Sequence, residues 1–333
     1  MPTWNQLREE LQKSGSTHDV VRRKYLRRLS NITGRNTIFY YSGWLQKSYI
    51  LRDNPQALAI NDSDKNGFMA AVHQLDRSKG LDLILHTLGG SSSATESLVD
   101  YLRSMFDGNV RAIVPQIAMS AGTLICCACT SIIMGKQSSL GPIDPQFNGV
   151  PAHGVKQEFE DALKAIKKDP ASIPLWQAIV AKYNPTLIGE CEKAIEWSNE
   201  MAKNWLETGM LASDQDRDVK ISTILKELGD HALTKAHDRH ISINKAREMG
   251  LVVEAMEDNP RLQDAILSVH HATILTLTET SAVKVIENQK GVAFIQTVSP
   301  VTLAMPGAAI GGSIIRGGEG FRKGTPTESE PLQ

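Results

Sequence analysis

The stretch from 81 to 90 reads LDLILHTLGG, and the stretch from 110 to 123 reads VRAIVPQIAMSAGT. Each begins as an apolar run typical of a buried strand, continues into small residues and leads into a helical pattern. The first ends in Gly89-Gly90, which leaves backbone N–H groups bare because glycine has no side chain. The second sets the hydroxyl of Ser120 beside another backbone N–H. A nucleophile and N–H donors at adjacent strand ends are the parts of an acyl-transfer site.

The composition is that of an ordinary globular protein. The chain has 333 residues, of which 41% are hydrophobic and 22% charged, and its formal net charge is −1. This balance gives no general attraction to nucleic acid or to an anionic membrane, and no apolar run approaches the ~18 residues of a membrane span. The first ten residues are polar, and four cysteines are too few for a disulfide framework. We therefore expect a reduced, cytoplasmic protein with no secretory signal, no membrane span and no nucleic-acid partner.

Strand and helix patterns alternate through the middle of the chain. Ser93, followed by Glu96, predicts a capping box at the start of the helix after Gly90. The alternation predicts an α/β fold with a mostly parallel sheet. Strands are predicted at 37–41, 81–87, 110–117 and 132–134, and helices at 61–75, 93–105, 121–130, 155–168, 186–208, 222–228, 244–249 and 262–278.

The two ends of the chain differ from this middle. Residues 3–13 and 17–30 predict two short helices, of which the second is strongly basic, and we interpret it as a solvated or subunit-docking arm. Residues 305–333 are rich in glycine and proline and predict a flexible tail.

Several ordered motifs carry a resemblance to a known group of enzymes. The turn at 89–90, the turn at 118–123 (AMSAGT) and the loop at 139–146 (SLGPIDPQ) occur in the order and spacing of Clp-fold serine peptidases. With HDRH at 237–240 and KVIEN at 284–288, they resemble the serine dehydrogenase proteinase family, which is similar to signal peptide peptidase A and to the Clp protease subunit.

This resemblance covers roughly residues 35–290. It implies a Clp/crotonase-like fold, with a mostly parallel sheet built from ββα units and surrounded by helices. We expect three parts in the chain: an N-terminal helical arm at 1–34, a Clp-fold serine peptidase domain at 35–290 and a flexible C-terminal extension at 291–333.

Ser120 is the predicted nucleophile. Ala118 stands where the first glycine of a Gly-x-Ser-x-Gly elbow would be, which argues against an α/β-hydrolase. A serine at the start of a helix is otherwise most often an N-cap, so the role depends on its partner motifs. We expect an oxyanion hole formed by the N–H groups of Gly90 and Ala121.

The general base is predicted by comparison of two loops. In Clp proteases the catalytic histidine lies in the loop that here contains Asp144, and the catalytic aspartate lies where this chain has Asp238. Two histidines, His237 and His240, flank that position. The resemblance therefore implies that acid and base have exchanged places, with His237 or His240 as base and Asp144 orienting it. Such an exchange is allowed because a triad is defined by geometry and not by chain order.

A serine–lysine dyad is the alternative. In membrane-associated peptidases of this group a lysine opens the helix after the loop, and Lys156, with His153 nearby, lies in the corresponding region. A dyad lysine must be buried with a depressed pKa, whereas an exposed lysine early in a helix is an ordinary surface residue.

The clusters of cysteine and histidine in the sequence do not indicate a metal site. The cysteines of 126–129 (CCAC) fall in the helix after Ser120, where small buried residues pack against a sheet and where consecutive side chains diverge too widely for zinc. The histidines at 237–240 and 270–271 match no common metal-ligand spacing. We expect no metal and no cofactor.

The predicted function is that of a serine peptidase acting on peptides or unfolded protein segments, and the resemblance implies a homo-oligomer. Two alternatives remain open. One is a non-catalytic oligomeric scaffold with a vestigial Clp-fold site. The other is a crotonase-like acyl-CoA enzyme, which shares the paired N–H groups but needs no serine.

Overall fold

A computed structural model describes residues 3–14, 18–147, 149–229, 236–298 and 312–316. The helices are α1 (Trp4–Ser14), α2 (His18–Thr33), α3 (Ser48–Asp53), α4 (Asp64–Val72), α5 (Ser92–Met105), α6 (Ala121–Cys127), α7 (Ala152–Lys168), α8 (Ile173–Val180), α9 (Leu187–Thr208), α10 (Arg217–Gly229), α11 (Ile243–Glu248) and α12 (Pro260–Glu279). The strands are β1 (Asn36–Ser42), β2 (Leu81–His86), β3 (Val110–Val114), β4 (Ile117–Ala118), β5 (Ile132–Met134), β6 (Ser139–Leu140), β7 (Gln146–Phe147), β8 (Val150–Pro151), β9 (Ile241–Ser242), β10 (Val253–Ala255), β11 (Ala282–Asn288), β12 (Val292–Thr297) and β13 (Gly312–Arg316).

A large sheet forms the centre of the fold, in the order β10-β5-β3-β2-β1-β11-β12-β13. The pairs from β10 to β1 are parallel, and those from β1 to β13 are antiparallel. Helices α4, α5 and α6 pack on one face, and α2 and α12 cover the other. The predicted α/β fold with a mostly parallel sheet is confirmed.

Both faces of the sheet are buried, and β1 shows how one strand serves both. Ile38 and Tyr40 point toward α4, whereas Phe39 and Tyr41 point toward α2 and α12. Alternate residues of a strand face opposite sides, so a doubly covered strand is apolar along its whole length.

A second, small, three-stranded sheet, in the order β4-β6-β9, lies between the central sheet and the candidate site. β4 pairs with β6 in parallel and β6 with β9 antiparallel, and a bridge between Thr87 and Ala118 joins the end of β2 to β4. The predicted strand 110–117 is therefore two strands. Pro115 interrupts it, because proline has no N–H to continue the ladder.

The start of α5 also differs from the prediction. The N-cap is Ser91, whose hydroxyl accepts from the N–H of Ala94 at 3.3 Å, and not Ser93. The N–H of Ser91 donates to the carbonyl of Ile60, which holds the chain before the helix and starts it two residues earlier. Between the predicted helices at 155–168 and 186–208, the structure has a further helix, α8, in a stretch that contains prolines and for which no helix was predicted.

The basic helix α2 is not a solvated arm. Arg22 is fully buried and donates to Glu287 on β11 at 2.5 Å, to Thr276 on α12 at 3.1 Å and to Asp19 at 2.8 Å. Apolar residues of α2 complete the core on that face of the sheet. The solvated alternative is wrong, and the sequence did not indicate this because Glu287, the acidic partner of Arg22, lies 265 residues away.

Two strands after residue 290 continue the sheet. β12 pairs with β11, and β13 pairs with β12, so residues predicted to be part of a flexible extension add two strands to the edge. The rest of the predicted tail at 305–333 lies outside the described residues.

Candidate active site

Ser120 lies on a strained turn between β4 and α6. Its φ is 51° and its ψ is −116°, a conformation that costs a non-glycine residue about 1–3 kcal/mol. Backbone bonds hold the turn in place: the N–H of Met119 donates to Thr87 at 3.0 Å, and the N–H of Gly122 donates to Met119 at 2.8 Å. Such strain persists only where the surrounding structure determines it, which is typical of functional sites.

The Ser120 hydroxyl does not cap the helix. Ser120 occupies the N-cap position of α6 without a side-chain capping hydrogen bond. The side chain is half-buried, and its Oγ has no hydrogen-bond partner within the part of the chain that the structure describes. The hydroxyl is therefore available for other chemistry.

Gly89 packs directly against Ser120. Its φ is +104°, and a Cβ atom added to it would lie 2.7 Å from Cβ of Ser120 and 3.0 Å from the carbonyl oxygen of Met119. Only glycine fits this position, both for the backbone conformation and for the space.

Gly90 is fixed on one side by a single-residue bridge to Ile60. The N–H of Ile60 donates to Gly89 at 2.8 Å, and the N–H of Ser91 donates to Ile60 at 2.9 Å. In this parallel pattern the N–H of Gly90 points away from Ile60. It has no acceptor among the described residues, and the same holds for the N–H of Ala121, the first of α6. The turn at Gly89-Gly90 and the turn at Ser120 thus each provide one backbone N–H without an acceptor among the described residues.

The loop after β6 is tied to the serine turn by Thr123. Its hydroxyl accepts from the N–H of Gly141 at 2.9 Å and donates to the carbonyl of Ala118 at 2.9 Å. A Cβ on Gly141 would lie 2.6 Å from Cε of Met119. Thr123 and Gly141 therefore set the position of the segment that carries Asp144.

Asp144 and His237 are joined by a hydrogen bond. Nδ1 of His237 lies 2.8 Å from Oδ1 of Asp144, whose side chain is fully buried, while the side chain of His237 is 27% exposed. A carboxylate only accepts, so the His237 proton sits on Nδ1 and Nε2 is left as an acceptor. Oδ2 of Asp144 accepts from Nε2 of Gln146 at 3.0 Å. This arrangement prepares a histidine to act as a base.

Ser120 and His237 do not form a hydrogen bond with each other within the described ranges. The structure thus joins two of the three predicted catalytic side chains and leaves the third contact unmade.

The alternative bases are His240, Lys156 and His153, and they differ from one another in exposure. His240 is exposed. Lys156 is 43% exposed and forms an ion pair with Glu192 at 3.4 Å, so it lacks the burial that a dyad lysine needs. His153, near the start of α7, is half-buried.

Several residues of the site were missed by sequence reasoning. Thr87 accepts from the N–H of Gly89 through its hydroxyl at 3.0 Å and pairs its backbone with Met119 and Ile117. Ile60 holds Gly90. A threonine and an isoleucine carry no sequence signal of such a role, because both are common in buried strands.

The cysteines of α6 are buried in the core. Burial raises the pKa of the Cys127 and Cys129 thiols to about 12, so both stay protonated and unreactive. Across the described ranges, no group of three or more histidine, cysteine or acidic side chains is arranged to hold a metal ion. Nor does any helix there combine the length and apolar character that crossing a bilayer requires.

Comparison with known proteins gives relatives and one family. Two uncharacterised proteins of Methanocaldococcus jannaschii are similar to the chain. The first is 32% identical over 235 residues, covering 71% of this chain and 74% of the relative. The second is 26% identical over 226 residues, covering 65% and 69%.

Among solved structures, a mutant of the 1510-N membrane-bound stomatin-specific protease matches with 16% identity and a TM-score of 0.36, covering 62% of this chain and 79% of that chain. The model of the ClpP-like SDH-type serine proteinases matches residues 12–261. The family resemblance predicted from the sequence motifs is confirmed, and the chain belongs to the ClpP-like SDH-type serine proteinase family.

Proposed function

We propose that this protein hydrolyses peptide bonds through an acyl-enzyme on Ser120, with His237 as general base and Asp144 orienting it. The observation that carries the proposal is the 2.8 Å hydrogen bond between the buried Asp144 carboxylate and Nδ1 of His237. Membership of a serine proteinase family supports the reaction class. The strained backbone of Ser120, and its hydroxyl that makes no capping hydrogen bond, support the choice of nucleophile.

The first half of the reaction forms the acyl-enzyme. Oγ of Ser120 attacks the peptide carbonyl carbon while Nε2 of His237 takes the hydroxyl proton. The carbonyl electrons move onto oxygen, and the N–H groups of Gly90 and Ala121 donate to the oxyanion. The C–N bond then breaks, and Nε2 of His237 gives its proton to the leaving amine.

The second half releases the product. Water attacks the ester carbonyl as Nε2 of His237 takes one of its protons, and the same two N–H groups stabilise the second oxyanion. The C–O bond to Ser120 breaks, the proton returns to Oγ, and the carboxylic acid leaves. Asp144 accepts from Nδ1 throughout and stabilises the imidazolium in each tetrahedral intermediate.

The contact between Ser120 and His237 is proposed to form when substrate binds. Catalytic hydrogen bonds are often long or misaligned before substrate is present and tighten in the complex. We propose peptides or unfolded protein segments as substrates, a homo-oligomer as the working form and the cytoplasm as the compartment. The family's ClpP-like character is the basis for the substrates and the oligomer, and the small number of cysteines is the basis for the compartment. No cofactor enters the proposed reaction.

A fluorophosphonate probe tests the proposal. Intact mass is measured after the probe is added to the wild type, to Ser120→Ala and to Ser93→Ala, which removes an exposed serine of α5. We expect one adduct on the wild type and on Ser93→Ala, and none on Ser120→Ala. A folded wild type that takes no adduct would instead favour the vestigial scaffold.

A further inference from the structure

Lys284 and Asp64 form an ion pair with no solvent access. Lys284 lies on β11 and Asp64 begins α4, and their side chains are at most 1% exposed. Nζ of Lys284 donates to Oδ1 of Asp64 at 2.8 Å and to Oδ2 at 3.0 Å. The hydroxyl of Tyr40 donates to Oδ2 at 3.1 Å. Burying such a pair costs desolvation that its attraction barely offsets, so the pair does little for stability by itself.

Both members of the pair also form hydrogen bonds to the backbone of the segment 59–61. Nζ of Lys284 donates to the carbonyl of Ala59 at 2.8 Å, an oxygen that also accepts from Nδ2 of Asn61 at 3.2 Å. The N–H of Asn61 donates to Oδ2 of Asp64 at 3.0 Å. The residue between these two contacts is Ile60.

Ile60 is the residue that holds Gly90. Its N–H and its carbonyl bond to Gly89 and Ser91, and a Cβ on Gly90 would lie 2.3 Å from both the nitrogen and the oxygen of Ile60. Two hydrogen bonds around one residue do not make a self-supporting strand. The segment around Ile60 therefore needs an outside support to hold Gly90 at a fixed angle.

We propose that the Lys284–Asp64 pair is that support: it positions the N–H of Gly90 as an oxyanion donor by clamping the backbone on both sides of Ile60. The inference rests on the proposed function, in which Gly90 is such a donor. The two side chains touch neither substrate nor the reacting atoms, so they are positioning residues. Preorganised donors act chiefly in the transition state, and small displacements of them reduce the rate.

The test compares three proteins with the wild type. Lys284→Met removes the clamp on Ala59 and leaves a buried carboxylate. Asp64→Asn with Lys284→Met removes both charges and keeps an amide oxygen for the N–H of Asn61, so folding recovers while the contact with Ala59 stays lost. Arg22→Met is the matched control, because it breaks another fully buried ion pair to β11, that with Glu287, which keeps Arg23 as a partner. The melting temperature of each is recorded, with kcat and KM for p-nitrophenyl acetate.

We expect kcat to fall about 10- to 100-fold in Lys284→Met and in the double variant, with KM within about two-fold of the wild type. We expect Arg22→Met to lose stability and keep kcat. A double variant with the kcat of the wild type overturns the inference, and so does an equal loss of kcat in Arg22→Met. A wild type that fails to react overturns the inference together with the proposed function, whereas a reactive wild type with unaffected variants overturns the inference alone.

Discussion

Nδ1 of His237 bonds to Oδ1 of Asp144 across 93 residues of sequence, at 2.8 Å. The buried carboxylate fixes both the tautomer and the orientation of the ring. The histidine comes from the segment before β9, and the aspartate comes from the loop after β6. Because β6 and β9 pair with each other, the small sheet brings the two loops together.

Replacing Asp144 by asparagine tests this pair. The amide of Asp144→Asn can donate to Nδ1, which places the imidazole proton on Nε2 and removes the base. We expect labelling by a fluorophosphonate and ester hydrolysis to slow on the order of 10³- to 10⁴-fold, and similarly for His237→Gln. Lys156→Met serves as control and should stay within about two-fold of the wild type, because Lys156 is an exposed surface residue. The opposite ranking of His237→Gln and Lys156→Met would support the serine–lysine dyad.

Gly89→Ala should damage both the fold and the reaction. The new Cβ would lie 2.7 Å from Cβ of Ser120, and the backbone has φ of +104°. We expect a loss of about 1–3 kcal/mol in unfolding free energy and a fall in labelling rate of about 100-fold, because Ser120 must move.

Gly34→Ala is the matched control for Gly89→Ala. Gly34 has φ of +69° with no atom within 4 Å of an added Cβ, so it should lose stability and keep its labelling rate. Urea unfolding and the time course of fluorophosphonate labelling measure the two effects. Equal labelling rates for the two alanine variants would show that the contact with Ser120 is unimportant.

The strain at Ser120 predicts that glycine is the more stable replacement there. Its φ of 51° and ψ of −116° match the first central position of a type II′ turn, which glycine adopts without cost. We expect Ser120→Gly to exceed Ser120→Ala by about 1 kcal/mol in unfolding free energy, with both inactive. At Ser222, exposed within α10, the order should reverse, because alanine is favoured in helices. An alanine variant at 120 as stable as the glycine variant would mean that the turn is relaxed.

Acid should destabilise the protein through a buried histidine. His86 donates from Nδ1 to the carbonyl of Ser42 at 3.2 Å and stacks on Tyr41, and burial lowers its pKa from 6.5 to about 4. Between about pH 6.5 and 4, His86 is therefore protonated in the unfolded chain and neutral in the folded chain. The stability due to neutral His86 is complete above about pH 6.5 and is lost as the pH falls toward 4, with about 2 kcal/mol lost by pH 5.

Urea unfolding at pH 7 and pH 5 measures this loss. His86→Gln should reduce the difference between the two pH values, whereas replacing the exposed His73 by glutamine should leave it unchanged. Part of the acid sensitivity should remain in His86→Gln, because burial also lowers the pKa of neighbouring His270. An unchanged difference in His86→Gln would assign the sensitivity to other groups.

The elements of the fold that depend on local sequence were predictable. Apolar runs ending in small residues located β2 and the turn at Gly89, and the same pattern located Ser120. The interruption by Pro115 and the earlier cap at Ser91 were not foreseen, because both depend on which backbone groups are already paired. The predicted exchange of acid and base came from the family resemblance, since nothing local to Asp144 indicates a partner 93 residues away.

Buried charges were the least predictable part. Arg22 and Lys284 look like surface residues in the sequence, since isolated lysine and arginine are almost always exposed. Their partners, Glu287 and Asp64, are more than two hundred residues distant. Only the assembled sheet brings such pairs together, and a single sequence gives no measure of that proximity.

The pairing of β1 with β11 has a consequence for the newly made protein. β1 (Asn36–Ser42) is made well before β11 (Ala282–Asn288), which is one of its two neighbours in the sheet. In a nascent chain Ser120 is made long before Lys284, the residue proposed to support the segment around Ile60. We therefore expect the proposed peptide cleavage to begin only after β11 has been made and has paired with β1.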